Sequence, residues 1–510
     1  MRYTVPLLAI LLLAPLVRSN AAEPSKPNII FIMADDHASE AISCYGSWLK
    51  DYAKTPNLDR IAAEGMRFNN VCCNNSICGP SRASIVTGQY SHKNDVPLLH
   101  PAIINSASPL YPLELKKAGY QTAIVGKWHI DTPAAGIYEY SSVTKGQGSY
   151  FDPVFLLNGV EEKPVTGYSS DVYTDRSLKW LDGRDKSKPF LLCLQFKACH
   201  GPYDYPERKN SLFKGVRFPE PATLHEDLSQ ADSFIKSQHQ QQLDGNKSYY
   251  QHASKNKKAP LQPHNSNDPE ARKSAAYQHL MLRYLRCGSA LDDNVGRVLK
   301  YLDEKGLAEN TIVVYTSDQG YNLGQHGLYD KRLILDPSIK MPFLVRYPKG
   351  IKAGQVNDEM CSNVDFAPTF LDYAGVAIPT AMQGRSMRPL LEGKTPQDWP
   401  DAAFYNYPGD HPCHYGLRTK KYTLGFVLKK GWELYDNEKD PDQTRNLAKD
   451  PEYASELKEL ERKFAKMAVK LDVQKVHLSG VREWPIYEEK LKKTKDKKGS
   501  GEKGSHDKED

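Results

Sequence analysis

The chain is punctuated by short, continuously apolar runs, and several stop abruptly at residues able to do chemistry. Asn28–Ala34 reads NIIFIMA and ends in Asp35-Asp36; Thr311–Thr316 reads TIVVYT and ends in Ser317-Asp318. Pro189–Gln195, Thr122–Val125 and Met341–Arg346 are of the same kind. Unbroken apolarity, as opposed to alternation, marks strands covered on both faces, as in a parallel sheet. Helix signals fall between the runs. Thr55 as N-cap and Pro56 at N1 open an i, i+3, i+4 apolar pattern closed by Gly65, and Leu113–Lys117 is followed by Gly119. Tyr277–Lys305 carries a long amphipathic stripe, as one helix or a pair. Strands alternating with helices predict an α/β fold, a large, mostly parallel central sheet with helices on both faces. In such sheets ligands collect beyond the carboxyl ends of the strands. Asp35, Asp36, Lys127, His129, His200 and Asp318 all follow predicted strands.

The pattern changes twice. Residues 205–275 are a polar insertion rich in Gln, His, Asn, Lys and Ser, either a substrate-rim loop or a mobile excursion. From about Gly384, short strands at Lys421–Leu424 and Trp432–Tyr435 and a helix at Tyr453–Leu471 predict a smaller α+β subdomain with an antiparallel sheet. The expected organisation is a catalytic α/β domain over 28–384, this subdomain over 385–490, and a charged, disordered tail over 491–510. At the other end, Arg2, the apolar Pro6–Val17 and Ser19-Asn20-Ala21 read as a signal peptide over 1–21, with a linker at 22–27. The mature chain is expected to be periplasmic or secreted. No cysteine marks the cleavage point and no later run of ~20 apolar residues occurs, so no membrane anchor is expected. Nine cysteines leave at least one outside any intramolecular disulfide, and none has paired zinc-site spacing. The net charge of +6 is small and partly due to the lysines near Lys492–Lys498, which argues against a nucleic-acid partner.

Asp35-Asp36 or Ser317-Asp318-Gln319-Gly320 alone would serve equally as solvated loop residues. Together they place three carboxylates and an amide oxygen at strand ends, a hard, all-oxygen set suited to calcium or magnesium. Lys127-Trp128-His129 puts a cation and a titratable ring on one side of an extended segment. His200 precedes Gly-Pro, and Lys331 follows Tyr329-Asp330.

The most specific signal is Cys78-Gly79-Pro80-Ser81-Arg82 followed by Thr87-Gly88. It resembles the signature of the formylglycine-dependent sulfatases, in the alkaline-phosphatase-like superfamily. The resemblance runs from about Asn28 to Lys470 and includes, in family order, the Asp-Asp pair, Lys-x-His, Ser-Asp-x-Gly and the downstream lysine. It implies that Cys78 is oxidised before folding to formylglycine, with Ser81 part of the signature read by a formylglycine-generating maturation enzyme. It implies one calcium ion per chain held by Asp35, Asp36, Asp318 and Gln319, with residue 78 beside it as a further ligand. Gln319 departs from the family's usual asparagine or histidine but still offers an amide oxygen. Arg82, Lys127, His129, His200 and Lys331 match the polar set around the sulfate.

The implied chemistry suits these residue types. A hydrated aldehyde offers one hydroxyl to attack sulfur and a second whose deprotonation, by His129, expels sulfate. Lys127, Lys331 and the metal would neutralise the sulfuryl oxygens, and His200 would protonate the leaving oxygen. Asp330-Lys331-Arg332, Lys340–Pro348, His414–Thr419 and Trp432–Asp436 resemble bacterial N-acetylglucosamine-6-sulfatases. The expected substrate is therefore a sulfated carbohydrate carrying a 6-O-sulfate on a terminal N-acetylglucosamine-type sugar, with His411, His414 and Arg418 as sugar-contacting candidates. Asp336-Pro337 departs from the helix-forming residues expected there and is expected to reshape the pocket rim. The rival readings are a 2-O-sulfatase acting on uronic acids, a phosphodiesterase or phosphonate monoester hydrolase, and a non-catalytic glycan-binding protein.

Overall fold

The computed structural model describes residues 26–227, 235, 242–243, 267–409, 413–428 and 430–473. The strands are β1 (Asn28–Ala34), β2 (Met66–Cys72), β3 (Gln121–Lys127), β4 (Tyr140–Thr144), β5 (Phe155–Leu157), β6 (Val160–Glu161), β7 (Phe190–Gln195) and β8 (Thr311–Ser317). They continue as β9 (Asn322–Leu323), β10 (Tyr329–Asp330), β11 (Lys340–Arg346), β12 (Gln355–Asn357), β13 (Cys361–Ser362), β14 (Ala402–Tyr407), β15 (His414–Thr419), β16 (Tyr422–Val427) and β17 (Gly431–Asp436). The helices are α1 (Pro56–Ala63), α2 (Cys78–Thr87), α3 (Tyr111–Lys117), α4 (Ser169–Gly183), α5 (Pro269–Glu304), α6 (Asp336–Ile339), α7 (Phe366–Tyr373), α8 (Arg388–Leu391) and α9 (Ala454–Lys470).

β1 is buried at every residue because it is the middle of the large sheet, ordered β12-β2-β11-β8-β1-β7-β3-β4-β5-β6. The central strands β8, β1, β7, β3 and β4 are mutually parallel, and β11 and β5 join antiparallel on either side. Alternate β1 residues face two separate cores. Ile29, Phe31 and Met33 meet α7, with Phe31 and Phe370 ring centroids 5.5 Å apart. Ile30, Ile32 and Ala34 lie in the core that α5 covers with Leu291, Val295 and Val298. The continuous apolar runs are therefore two-sided strands, as their composition requires.

α5 is one helix, not a pair. It starts at Pro269, within the polar insertion, where the Asp268 side chain caps the Glu270 amide. The α1 cap differs from the expectation. Thr55 bonds to Ser43, and the first-turn amides of Asn57 and Leu58 donate instead to Asp292 of α5, at 3.2 and 2.9 Å. A tertiary carboxylate has replaced the local cap. β2 was missed because Arg67, Asn69 and Asn70 interrupt its apolarity.

The C-terminal region forms the separate antiparallel sheet β14-β15-β16-β17, with α9 packed across it through Phe464 against Phe404 and Tyr415. This sheet is fastened to the larger unit. The Asn406 amide donates to Asn74 O at 2.8 Å, and the Tyr405 hydroxyl donates to Arg332 O. Arg418, expected near the sugar, is buried and makes a two-pronged pair with Asp336, Nε to Oδ1 at 3.0 Å and Nη2 to Oδ2 at 2.8 Å. Asp336-Pro337 forms the first turn of α6, a position proline tolerates, and Asp336 serves as the Arg418 acceptor. No helix among the described residues is long and apolar enough to cross a membrane. The proposed signal peptide over 1–21, most of the insertion, His411 and the tail over 491–510 lie outside the described residues. The nine cysteines are unbridged.

Arg418→Ala should lower unfolding stability by about 3–5 kcal/mol, because it leaves Asp336 buried without its partner. Denaturant midpoints measure this, with the KM of the folded fraction expected to stay near the parent value. A raised KM with an unchanged midpoint would restore Arg418 to the sugar site.

Candidate active site

The parallel centre of the sheet delivers three carboxylates to one point. Asp35 and Asp36 leave the end of β1 and Asp318 leaves the end of β8; all are fully buried. The Asp36 amide donates to Asp318 Oδ1 at 3.2 Å, and oxygens of the three side chains lie within 4.8 Å of one another. Three cations balance them. Lys127, at the end of β3, pairs with Asp35; Lys331 Nζ lies 2.6 Å from Asp36 Oδ2; Arg82 Nε donates to Asp318 Oδ2 at 2.9 Å. Burial alone would raise the Asp35 pKa, but Lys127, then His200, Arg82 and Lys331, hold it well below the carboxylate range. Asp318 is pushed up to about 7, chiefly by burial and then by Asp35.

α2 supplies the reactive position and its support. Cys78 is its first residue and Arg82 follows one turn later, on the same face. Cys78 Sγ lies 3.4 Å from Asp35 Oδ1 and 3.6 Å from Gln319 Nε2. Burial, and then Asp35, push the thiol pKa up, so an unmodified Cys78 is a poor nucleophile. Arg82 Nη1 also donates to Lys127 O at 2.8 Å and Gln195 Oε1 at 3.1 Å. Ser81 has a folded role too, since its hydroxyl donates to Asp318 O and accepts from Asn363 Nδ2 at 2.9 Å. Two motif glycines are steric necessities. At Gly126, with φ +109°, a Cβ would lie 2.0 Å from Gln195 O; at Gly320 it would lie 2.3 Å from Pro337 O.

A cleft opens to solvent over Cys78 and Asp36. His200, Gln147, Tyr321, Asp330, Lys331 and Arg332 line it. His200 Nε2 is 3.8 Å from Asp36 Oδ2, while its Nδ1 donates to Gly201 O at 2.9 Å. Burial, and then Lys331, hold the His200 pKa well below its ordinary value. His129 is buried with its ring edge-on to His100, at 6.0 Å. His414 does not line the cleft. It packs beneath Tyr405 and Tyr407, at 5.3 and 5.5 Å, behind the wall that carries Arg332.

The sequence reading therefore brought together Asp35, Asp36, Cys78, Arg82, Lys127, His200, Asp318, Gln319 and Lys331. It missed Gln147, which bonds Lys127; Asp330 and Arg332, paired with each other beside Lys331; and Lys197, a buried lysine between Gln195 and His200. Asp330 and Arg332 could have been found from their place either side of Lys331. Gln147 carries no sequence signal.

The carboxylates fit a divalent cation with oxygen ligands. Gln319 sets its amide against the same cluster: Nε2 donates to Asp36 and the buried Oε1 has no hydrogen-bond partner, so turning the amide over presents an oxygen ligand.

Comparison with known proteins gives a consistent result. A family model described as sulfatase matches residues 27–376, and one described as N-sulphoglucosamine sulphohydrolase, C-terminal, matches 324–470. The chain is 39 % identical over 502 residues to N-acetylglucosamine-6-O-sulfatase of Bacteroides thetaiotaomicron, covering 89 % of this chain and 88 % of the relative. A protein solved in complex with its substrate, D-glucosamine-2-N,6-O-disulfate, superposes with a TM-score of 0.80 at 36 % identity, over 88 % of this chain and 99 % of that one. The phosphonate monoester hydrolase of Silicibacter pomeroyi shares the fold, with a TM-score of 0.71 at 22 % identity over 87 % and 95 % of the two chains.

Calorimetry should detect one divalent-cation site per chain. Asp35→Asn and Asp318→Asn should each weaken it at least about tenfold, because each removes a charged oxygen ligand. Wild-type affinity retained in both variants would show that the cation binds elsewhere.

Proposed function

This chain belongs to the sulfatase family and is a sulfuric ester hydrolase; from that premise we propose that it is an exported carbohydrate sulfatase that removes the 6-O-sulfate of a terminal N-acetylglucosamine-type sugar. The observation that carries this reading is the 39 % identity to an N-acetylglucosamine-6-O-sulfatase across 89 % of the chain. The similar protein solved with D-glucosamine-2-N,6-O-disulfate supports it further. Export rests on the leader-like segment over 1–21, which ends in Ser19-Asn20-Ala21.

Asp35, Asp36, Asp318 and Gln319 would hold the cation, calcium in this reading, which would supply positive charge against the sulfate oxygens. Residue 78, oxidised to formylglycine by a maturation enzyme, would supply a hydroxyl nucleophile where the thiol is held protonated. Arg82 fixes the carboxylates and the strand ends in place. Lys127 and Lys331 counter the charge on the sulfuryl oxygens. His200 is oriented by Gly201 O, so its Nε2 is set to give a proton to the leaving sugar oxygen. Burial and Lys331 hold its pKa low in the empty site, and the negative charge of a bound sulfate would favour the protonated ring that this donation requires. His129 serves as the base that resets residue 78. A cleft that opens over residue 78 and is lined by Asp330 and Arg332 suits exo action on a terminal ring, with those two side chains as candidates to bond its hydroxyls.

Mass analysis of the peptide spanning Cys78 should find the aldehyde, and Cys78→Ala should abolish turnover while the melting temperature is preserved. Full activity in the alanine variant would end the proposed mechanism. On a panel of 6-O-, 4-O-, 3-O- and 2-O-sulfated monosaccharides, kcat/KM should be highest for 6-O-sulfated N-acetylglucosamine. Preference for a 2-O-sulfated uronate would overturn the substrate, and faster cleavage of matched phosphate esters would overturn sulfate as the main substrate class.

A further inference from the structure

Among the described residues the buried lysines are Lys127, Lys197 and Lys331. Two of them are paired, Lys127 with Asp35 and Lys331 with Asp36. Lys197 has no carboxylate and no hydrogen-bond acceptor for its ammonium; its recorded contact is with the face of Tyr150, 5.2 Å from Nζ to the ring centroid. A buried cation without a counter-charge costs several kcal/mol, so a fold that keeps one requires a reason.

Its position supplies one. Lys197 lies just past the end of β7, the strand between β1 and β3, and so between the ends that carry Asp35 and Lys127. Its ammonium feels the charges of Lys127 and Asp35 and lies near the Cys78 thiol, and His200 in turn feels the charge of Lys197. These neighbours belong to the same site as residue 78. Burial first, and then Lys127, lower the Lys197 pKa to about 8, as expected of a cation that has lost water without gaining an anion. The Tyr150 ring beneath it also bears on the site, since its hydroxyl donates to His200 O. The missing partner of Lys197 is therefore negatively charged and arrives with the substrate.

We propose that Lys197 is a third catalytic cation of the sulfatase site, binding the sulfate group through its ammonium alongside Lys127 and Lys331. The proposal rests on the sulfatase reading, and hydrolysis of a sulfate ester by the wild-type enzyme tests that reading separately.

Lys197→Met keeps the length and packing over Tyr150 and removes only the charge. It should lower kcat/KM at least about 100-fold and weaken product inhibition by inorganic sulfate about tenfold. Its melting temperature should stay within about 4 °C of wild type. Lys197→Arg should recover part of both losses. A methionine variant with wild-type kcat/KM and wild-type sulfate inhibition would reduce Lys197 to a packing residue. A crystal structure of the wild-type enzyme with sulfate bound decides the matter even if the variants do not fold. Nζ within about 3.5 Å of a sulfate oxygen supports the proposal, and Nζ beyond about 5 Å overturns it.

Discussion

Three carboxylates held together out of water stay charged only where cations meet them at close range, and the rest of this site depends on that balance. Arg82 has the widest reach in it. One guanidinium joins Asp318 beyond β8, Lys127 O on β3 and Gln195 at the end of β7, with Asp35 3.7 Å away at the end of β1. Because Arg82 stands one turn after Cys78, the ties that hold the strand ends also set the reactive residue against them. The signature motif is thus an architectural element as well as the proposed mark for modification. Its Ser81 hydroxyl reaches the Asp318 carbonyl, and Gly126 and Gly320 admit neighbouring backbone where no side chain could fit.

The division into a large unit and a C-terminal sheet is topological, and chemically the two are one. Tyr405 holds the main chain of Arg332, and the amide of Ser76 donates to the same tyrosine hydroxyl at 3.4 Å. Arg418 grips Asp336, the first residue of α6, which packs under Gly320. The cleft wall and the turn after Asp318 are therefore steadied from the last part of the chain, while the reactive residue comes from the first.

The legible parts of this molecule are those where local sequence and tertiary structure demand the same thing. β1, β7 and β8 had to be apolar on both faces, so their runs and the acids that end them were visible without any contact information. Arg418 was misread because a buried arginine and a ligand-binding arginine look alike until the partner is known, and Asp336 lies far from it in sequence. Lys197 and Gln147 were missed for a related reason. Their roles come from where neighbouring strands stop, a property of sheet order that no window of sequence contains. The Thr55 cap failed because Asp292, brought in by α5, offers a better acceptor than the local hydroxyl.

The burial of Cys78 has a consequence in time. It is 1 % exposed, and much of what surrounds it, from Gln319 to Lys331 and Arg332, is synthesised long after it. At about 5–20 residues per second, the roughly 250 residues between Cys78 and Lys331 take on the order of 12–50 s to make. Throughout that interval the cysteine has no lid, and any enzyme that must reach its side chain has that interval, before the second half of the site arrives, in which to act. The order of the chain thus works as a clock, separating the modification proposed for this residue from the catalysis proposed for it.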